Sequence, residues 1–146
     1  MLTLPREIVD AILAQAGAAH PLECCGIVAS LPDARPPYRL IPMRNMAQSE
    51  EYFEFAPLDQ LKAWRGMDAA GEVPLVFYHS HTGSAAYPSR SDIAHAAAYP
   101  EVHHLIVGTD PRFQPALRSY RIADGRVSEE PVVVADVALS TPYIEG

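Results

Sequence analysis

Two histidines and an aspartate lie near the middle of the chain at spacings that suit a metal site. His79 and His81 follow a short apolar run, residues 73–78, which predicts a buried strand. Because side chains alternate along a strand, both imidazoles project to one face and Ser80 to the other. Asp92 follows a short loop, in the first turn of a predicted helix. A strand-loop-helix unit can therefore return its carboxylate to the two histidines.

Two imidazoles and one carboxylate form a three-ligand set. A structural zinc is normally closed by four protein ligands, whereas a catalytic zinc keeps one position for a water molecule, whose pKa it lowers to about 7. The pattern therefore predicts one Zn²⁺ per chain, in an open site suited to hydrolysis.

Other interpretations of the same residues remain open at this point. Ser89-x-x-Asp92 is also a capping box, in which both residues bond the free amides of a helix start, and this role is compatible with metal binding. Non-haem iron oxygenases also use two histidines and one carboxylate, so metal analysis is needed to separate the two chemistries. A zinc nucleoside deaminase requires His-x-Glu with Pro-Cys-x-x-Cys, and neither pattern occurs in the sequence.

The metal-site residues, together with Ser89 and Glu23, resemble the JAMM (MPN+) motif of zinc-dependent isopeptidases. The resemblance extends over roughly residues 4–133 and includes segments outside the motif: 61–65, 72–74 and 86–90. It implies an α/β fold, a single-domain three-layer mixed β-sheet flanked by helices of the JAB1/MPN, cytidine-deaminase-like type. One departure is Thr82, where many members have proline, but every ligand is in place.

The resemblance also implies a role for each site residue. His79, His81 and Asp92 would hold the zinc. Glu23 would act as general base and then general acid, taking a proton from the attacking water and passing it to the leaving amine. Ser89 would donate its hydroxyl to the oxyanion of the tetrahedral intermediate.

Within that family, the chain is most similar to bacterial peptidases that release cysteine from the C-terminal glycine of a small ubiquitin-like sulfur-carrier protein, a step of cysteine biosynthesis. Three alternatives stay open: a carrier for thiamin, molybdopterin or siderophore sulfur supply, an isopeptidase that trims protein conjugates, and a non-catalytic scaffold, which would be expected to lack a ligand. The aromatic residues Tyr52, Phe53 and Phe55 are interpreted as core and rim. Their alternative role is a groove wall that holds an extended glycine-ended tail by strand addition.

The composition limits the possible partners. The chain has 146 residues, of which 49% are hydrophobic and 20% charged, as in an ordinary globular domain. Its net charge of −7 and lack of a basic cluster argue against nucleic acid and acidic membrane surfaces as partners. Without an apolar leader or span, a cytoplasmic protein is expected. The adjacent Cys24 and Cys25 are expected to be reduced, buried thiols, and the oligomeric state stays open, with a homodimer as one option.

The elements that must position these residues follow from periodicity and turn signals. We expect one domain over 1–135 and a C-terminal tail over 136–146. His95, one turn after Asp92, is expected in the second shell or at the surface, and His103 and His104 on opposite faces of a strand. The predicted elements are a helix over about 4–17, strands over 25–29 and 38–43, an extended segment over 52–55, a helix over 57–67, a strand over 73–78, a helix over 89–100, a strand over 102–107 and a hairpin that turns at 124–125.

Overall fold

The computed structural model describes residues 1–136 and 139–143, with the last five described as backbone only. The helices are α1 (Arg6–Ala19), α2 (Pro57–Ala70) and α3 (Arg90–Ala96). The strands are β1 (Leu2–Pro5), β2 (Cys25–Leu31), β3 (Arg35–Met43), β4 (Val73–His81), β5 (His103–Gly108), β6 (Leu117–Ala123), β7 (Arg126–Glu130), β8 (Val132–Ala135) and β9 (Leu139–Tyr143).

Within those residues, seven strands form one mixed sheet in the order β7-β6-β5-β4-β2-β3-β9. Strand β4 is central: it pairs antiparallel with β2 and parallel with β5. Strands β1 and β8 pair in parallel as a separate two-stranded sheet. In the described part of the chain, no helix is long and apolar enough to cross a membrane.

Hydrophobic cores lie on both faces of the sheet, which confirms the three-layer architecture. On one face, α1 packs with Ile8 and Ile12 against side chains such as Tyr78 of β4. On the other face, α2 packs with Met67 against Phe77, and α3 covers Ile106 and its neighbours beside it. From Val76 to His81, the alternation along β4 therefore sends odd-numbered side chains towards α2 and α3 and even-numbered ones towards α1.

The first element differs from the prediction. Residues Leu2–Pro5 form a strand, and the helix begins only at Arg6. Pro5 has an extended backbone (φ −61°, ψ 144°) and no N–H to contribute to a helix. Its strand pairs with Val132–Ala135, near the other end of the chain. The helical spacing of Leu4 and Ile8 could not reveal a partner so far away in sequence.

Three further element boundaries differ from the predicted ones. Strand β4 continues to His81, because residues 79–81 pair with residues 106–108 of β5. Helix α3 stops at Ala96, short of the predicted Pro100. Strand β3 begins at Arg35, three residues earlier than expected, by pairing with Leu31.

The structure shows the predicted hairpin and part of the predicted C-terminal tail. Asp124 (φ 53°) and Gly125 (φ 73°) form the turn between β6 and β7, as the sequence predicts. Within the predicted 136–146 tail, Leu139–Tyr143 forms β9, which pairs in parallel with β3. Residues 137–138 and 144–146 lie outside the described part.

Gly26 provides a test of the β2–β4 packing. A Cβ atom at this position would lie 2.1 Å from the Tyr78 hydroxyl oxygen, so Gly26→Ala should lower the free energy of unfolding by at least about 3 kcal/mol. The matched control is Gly17→Ala in α1, where a Cβ meets no heavy atom within 4 Å. It should stabilise the protein by about 0.5–1 kcal/mol. Denaturant unfolding measures both, and equal effects would contradict the close approach.

Candidate metal centre

The structure brings together the three predicted ligands. Nε2 of His79, Nε2 of His81 and Oδ2 of Asp92 lie at the corners of a triangle whose three sides are each 3.1 Å. All three side chains are buried. His79 and His81 reach this point from one face of β4, as their i, i+2 spacing predicts, and Asp92 reaches it from the first turn of α3.

The donor set fits zinc. In a tetrahedral site with bonds of about 2.0 Å, ligand atoms lie about 3.3 Å apart, close to the observed 3.1 Å. Two imidazole nitrogens and one carboxylate oxygen are also ligands that zinc accepts. The three residues can therefore hold one ion and leave its fourth position open.

The pKa shifts of His79 and Asp92 favour a neutral imidazole and an ionised carboxylate, the forms in which these groups bind metal ions. Burial lowers the pKa of His79 and so favours the neutral imidazole, which has a lone pair to donate. Burial alone would raise the pKa of Asp92, but hydrogen bonds from both imidazoles and from the Ser89 amide outweigh it and hold the pKa well below its usual range. In the metal-free protein, however, the same hydrogen bonds place protons on the imidazole Nε2 atoms, and those of His81 to Asp92 and to the Ala85 carbonyl raise its pKa against the effect of burial. Metal binding must therefore displace these Nε2 protons.

Neighbouring groups fix the orientation of both imidazoles. Nδ1 of His81 donates to the carbonyl of Ala85 at 2.8 Å, which leaves Nε2 free as a ligand. Phe53 stacks on the His79 ring, with centroids 4.4 Å apart and planes inclined by 24°. The spacing motif did not reveal either contact, although the aromatic run at 52–55 marked Phe53 as a candidate groove residue.

Ser89 and Asp92 form the capping box that the sequence allows. The Ser89 hydroxyl accepts the Asp92 amide at 3.1 Å, and the Ser89 amide donates to Oδ2 of Asp92 at 2.9 Å. The same carboxylate oxygen faces both histidines, so the capping and ligand roles coexist. The cap uses the hydroxyl of Ser89 as an acceptor. Its other contact is the Ser91 hydroxyl at 3.2 Å, where either oxygen can donate.

Glu23 precedes β2 and is almost fully buried, with 3% of its surface exposed. Its Oε1 atom has no hydrogen-bond partner among the described residues. Burial, reinforced by the nearby Asp92 and Glu51 and opposed by His81, raises the pKa of Glu23 from 4.5 to about 7. A buried carboxylate with a free oxygen and a near-neutral pKa has the properties of a general base and acid.

Two clefts flank the ligand triangle. The Glu23 cleft, of about 520 Å³, is lined by His20, Pro21, Glu23, Glu50, Glu51, His81, Thr82, Gly83, Ser84 and Ser89. The Phe53 cleft, of about 440 Å³, is lined by Tyr52, Phe53, Glu54, Phe55, Pro57, Gln60, Ser91, Asp92 and His95. Glu23 and Ser89 therefore open onto the same space beside His81, while the aromatic run borders the other side.

The remaining histidines and the cysteines stay outside the ligand triangle. His95 packs edge-on against Phe53, with ring centroids 5.2 Å apart, and Phe53 in turn stacks on His79. His103 bonds Glu130 on the α1 face, whereas His104 packs near Phe77 on the opposite face, as the alternation predicts. Cys24 and Cys25 are buried free thiols, and burial raises the pKa of both.

The raised pKa of Glu23 predicts a pH-dependent cost to stability in metal-free protein. The folded state binds this proton more tightly than the unfolded chain, so wild type loses stability as pH rises from 4.5 to about 7. Glu23→Gln has no such loss and should be more stable than wild type by about 2–3 kcal/mol at pH 8, with no difference near pH 4.5. Urea unfolding at both pH values measures this. Glu50→Gln, an exposed change in the same cleft, should have little effect, and a Glu23→Gln gain that is equal at both pH values would contradict the assignment.

Comparison with known proteins finds relatives over most of the chain. The family model for prokaryotic homologues of the JAB domain matches residues 5–123. The CysO-cysteine peptidase of Mycobacterium tuberculosis is 43% identical over 136 residues, which cover 93% of this chain and 92% of that protein. The desampylase of Haloferax volcanii is 34% identical over 116 residues, covering 76% and 83%.

The fold is also that of a solved structure. A JAB1/MPN domain protein from Archaeoglobus fulgidus superimposes with a TM-score of 0.54 at 21% identity, covering 91% of this chain and 99% of that one. This likeness confirms the fold class, and the family match confirms the resemblance seen in the sequence. The chain belongs to the prokaryotic family of JAB-domain homologues.

Proposed function

We propose that the protein is a zinc-dependent peptidase that hydrolyses the amide bond after the C-terminal glycine of a small ubiquitin-like sulfur-carrier protein, releasing cysteine for cysteine biosynthesis. The observation that carries this proposal is the buried Glu23 carboxylate, which has an unpaired oxygen and shares one cleft with the ligand His81. The similarity to a CysO-cysteine peptidase over nearly the whole of both chains supports the choice of substrate.

The proposed roles follow from chemistry and position. His79, His81 and Asp92 would hold the zinc, which when bound would supply Lewis acidity and lower the pKa of the attacking water. Glu23 accepts the proton of that water on its carboxylate and then donates it to the departing amine nitrogen. The Ser89 hydroxyl accepts the Asp92 amide on its oxygen and can turn its hydrogen from Ser91 towards the substrate, where it stabilises the charge that develops on the former carbonyl oxygen.

The two clefts divide the substrate between them. Glu23 must protonate the leaving amine, so the leaving group belongs in the Glu23 cleft. The acyl side, an extended tail ending in glycine, then occupies the Phe53 cleft beside Tyr52 and Phe53. A glycine tail offers few side-chain contacts, so binding by its main chain suits this substrate. Most of the binding energy then comes from the folded body of the carrier.

The main alternative is an isopeptidase that removes a ubiquitin-like protein from lysine side chains. The similarity to a desampylase favours this second candidate. A carrier for thiamin, molybdopterin or siderophore sulfur supply is a further option with the same chemistry. These candidates share an acyl group that ends in glycine, and they differ in the carrier that bears it or in the amine that leaves.

Substitutions should separate metal binding from turnover. Alanine at His79, His81 or Asp92 should remove zinc and activity, whereas Glu23→Gln and Ser89→Ala should keep zinc and lower kcat by roughly a hundredfold or more, because neither side chain binds the metal. Metal analysis of chelator-free protein and turnover assays measure these effects. His103→Ala, on the opposite face of the sheet, is the matched control and should keep both. Full zinc occupancy in Asp92→Ala, or near-normal turnover in Glu23→Gln, would refute the respective role.

The substrate is tested with three defined compounds: the carrier-cysteine adduct, the carrier-lysine isopeptide and the matching tail peptide with cysteine. We expect release of cysteine, followed by mass spectrometry, to be fastest from the folded carrier, because the peptide lacks the contacts of the carrier body. Equal rates on carrier and peptide would indicate a general peptidase. Cleavage of the lysine isopeptide alone would favour the deconjugating alternative.

A further inference from the structure

Glu23 lies in a connecting segment, which by itself would leave the proposed base mobile. Three hydrogen bonds hold the segment instead. The Glu23 amide donates to the carbonyl of Ser49 at 2.8 Å, the Asn45 side-chain amide donates to the Glu23 carbonyl at 3.0 Å, and the Cys24 amide donates to the Ser80 hydroxyl at 2.8 Å.

The Ser80 contact replaces a missing sheet hydrogen bond. The Ser80 amide donates to the Cys24 carbonyl at 3.0 Å, which is half of the reciprocal pair that an antiparallel ladder makes at this position. The other half goes to the hydroxyl of Ser80 rather than to its carbonyl. The chain therefore leaves the sheet at Cys24 with the Cys24 amide still hydrogen-bonded. Ser80 is fully buried and lies between His79 and His81 in the sequence, so it ties the segment that carries Glu23 to the strand that carries the two histidines.

Asn45 binds the same segment from the other side. Besides the Glu23 carbonyl, its NH₂ group donates to the carbonyl of Tyr52 at 3.2 Å. Its Oδ1 accepts the amides of Ala47 and Glu54, each at 3.0 Å. One side chain thus joins the base segment to the aromatic wall of the Phe53 cleft.

We infer that Ser80 and Asn45 are positioning residues that clamp the main chain on either side of Glu23 and so hold its carboxylate against the metal centre. The inference rests on the proposed function. Among the described residues, neither side chain lines the Glu23 cleft or the Phe53 cleft, and neither hydrogen-bonds His79, His81 or Asp92, so each acts through the placement of Glu23. A displacement of about 1 Å in a reacting group can cost a hundredfold in rate, which makes such a clamp effective.

The test uses two substitutions with a matched control in the full chain. Ser80→Ala removes the acceptor for the Cys24 amide, and Asn45→Asp replaces the donor to Glu23 with an acceptor of the same shape. Ser119→Ala removes a fully buried strand serine whose hydroxyl bonds Glu130, away from the site. The measurements are zinc content, kcat and KM on the carrier-cysteine adduct, and hydrogen exchange of backbone amides by NMR.

We expect Ser80→Ala and Asn45→Asp to keep zinc, lower kcat roughly tenfold to a hundredfold and leave KM nearly unchanged, with faster exchange of the Glu23 or Cys24 amide. Ser119→Ala should keep kcat. Unchanged kcat, or a loss of zinc that accounts for the lost rate, would overturn the inference. If Ser80→Ala does not fold, Asn45→Asp alone decides. If wild type cleaves no adduct, the proposed function fails, whereas the clamp still stands or falls by amide exchange.

Discussion

The register between β2 and β4 is the constraint on which the site depends. Gly26 lies opposite Tyr78, and the absence of a side chain on Gly26 lets the tyrosine hydroxyl reach Gln15 of α1. In this register Cys25 lies opposite His79, so the end of β2 delivers Glu23 beside the metal ligands. A slip of one residue on β4 would turn both histidines towards α1 and away from Asp92.

The ligand cluster is buried at a cost that neighbouring groups offset. Two imidazoles and the Ser89 amide contact the Asp92 carboxylate, and these contacts outweigh burial and hold the pKa of Asp92 well below its usual range. Among the described residues, one oxygen of Glu23 has no hydrogen-bond partner, and burial, only partly opposed by His81, raises its pKa to about 7. The group that destabilises the fold is also the one with the properties of a proton carrier, as is common where activity and stability compete.

The loop between β3 and α2 borders both clefts and contacts the ligand triangle. Phe53 stacks on His79 and lines one cleft, while Glu50 and Glu51 line the other. Asn45 holds this loop together through three hydrogen bonds to its main chain and ties it to the Glu23 carbonyl through a fourth. A carrier tail that contacts the loop would therefore meet a wall already fixed relative to Glu23, which reduces the ordering required on binding.

The sequence by itself determined the features that depend on local chemistry. Alternation placed His79 and His81 on one face, Ser89-x-x-Asp92 marked the start of α3, and Asp124-Gly125 marked a hairpin, because each signal is contained within a few residues. The resemblance then added Glu23, whose position before a strand carries no signal of its own.

Tertiary structure decided everything that depends on partners distant in sequence. Leu2–Pro5 became a strand only because Val132–Ala135 lies beside it, and β4 reached His81 only because β5 continues alongside. The raised pKa of Glu23 comes from the walls that bury it. The roles of Ser80 and Asn45 rest on contacts with main-chain groups up to 56 residues away. Sequence patterns report the local preferences of the backbone, whereas a site is made by chain segments that meet only when the sheet has formed.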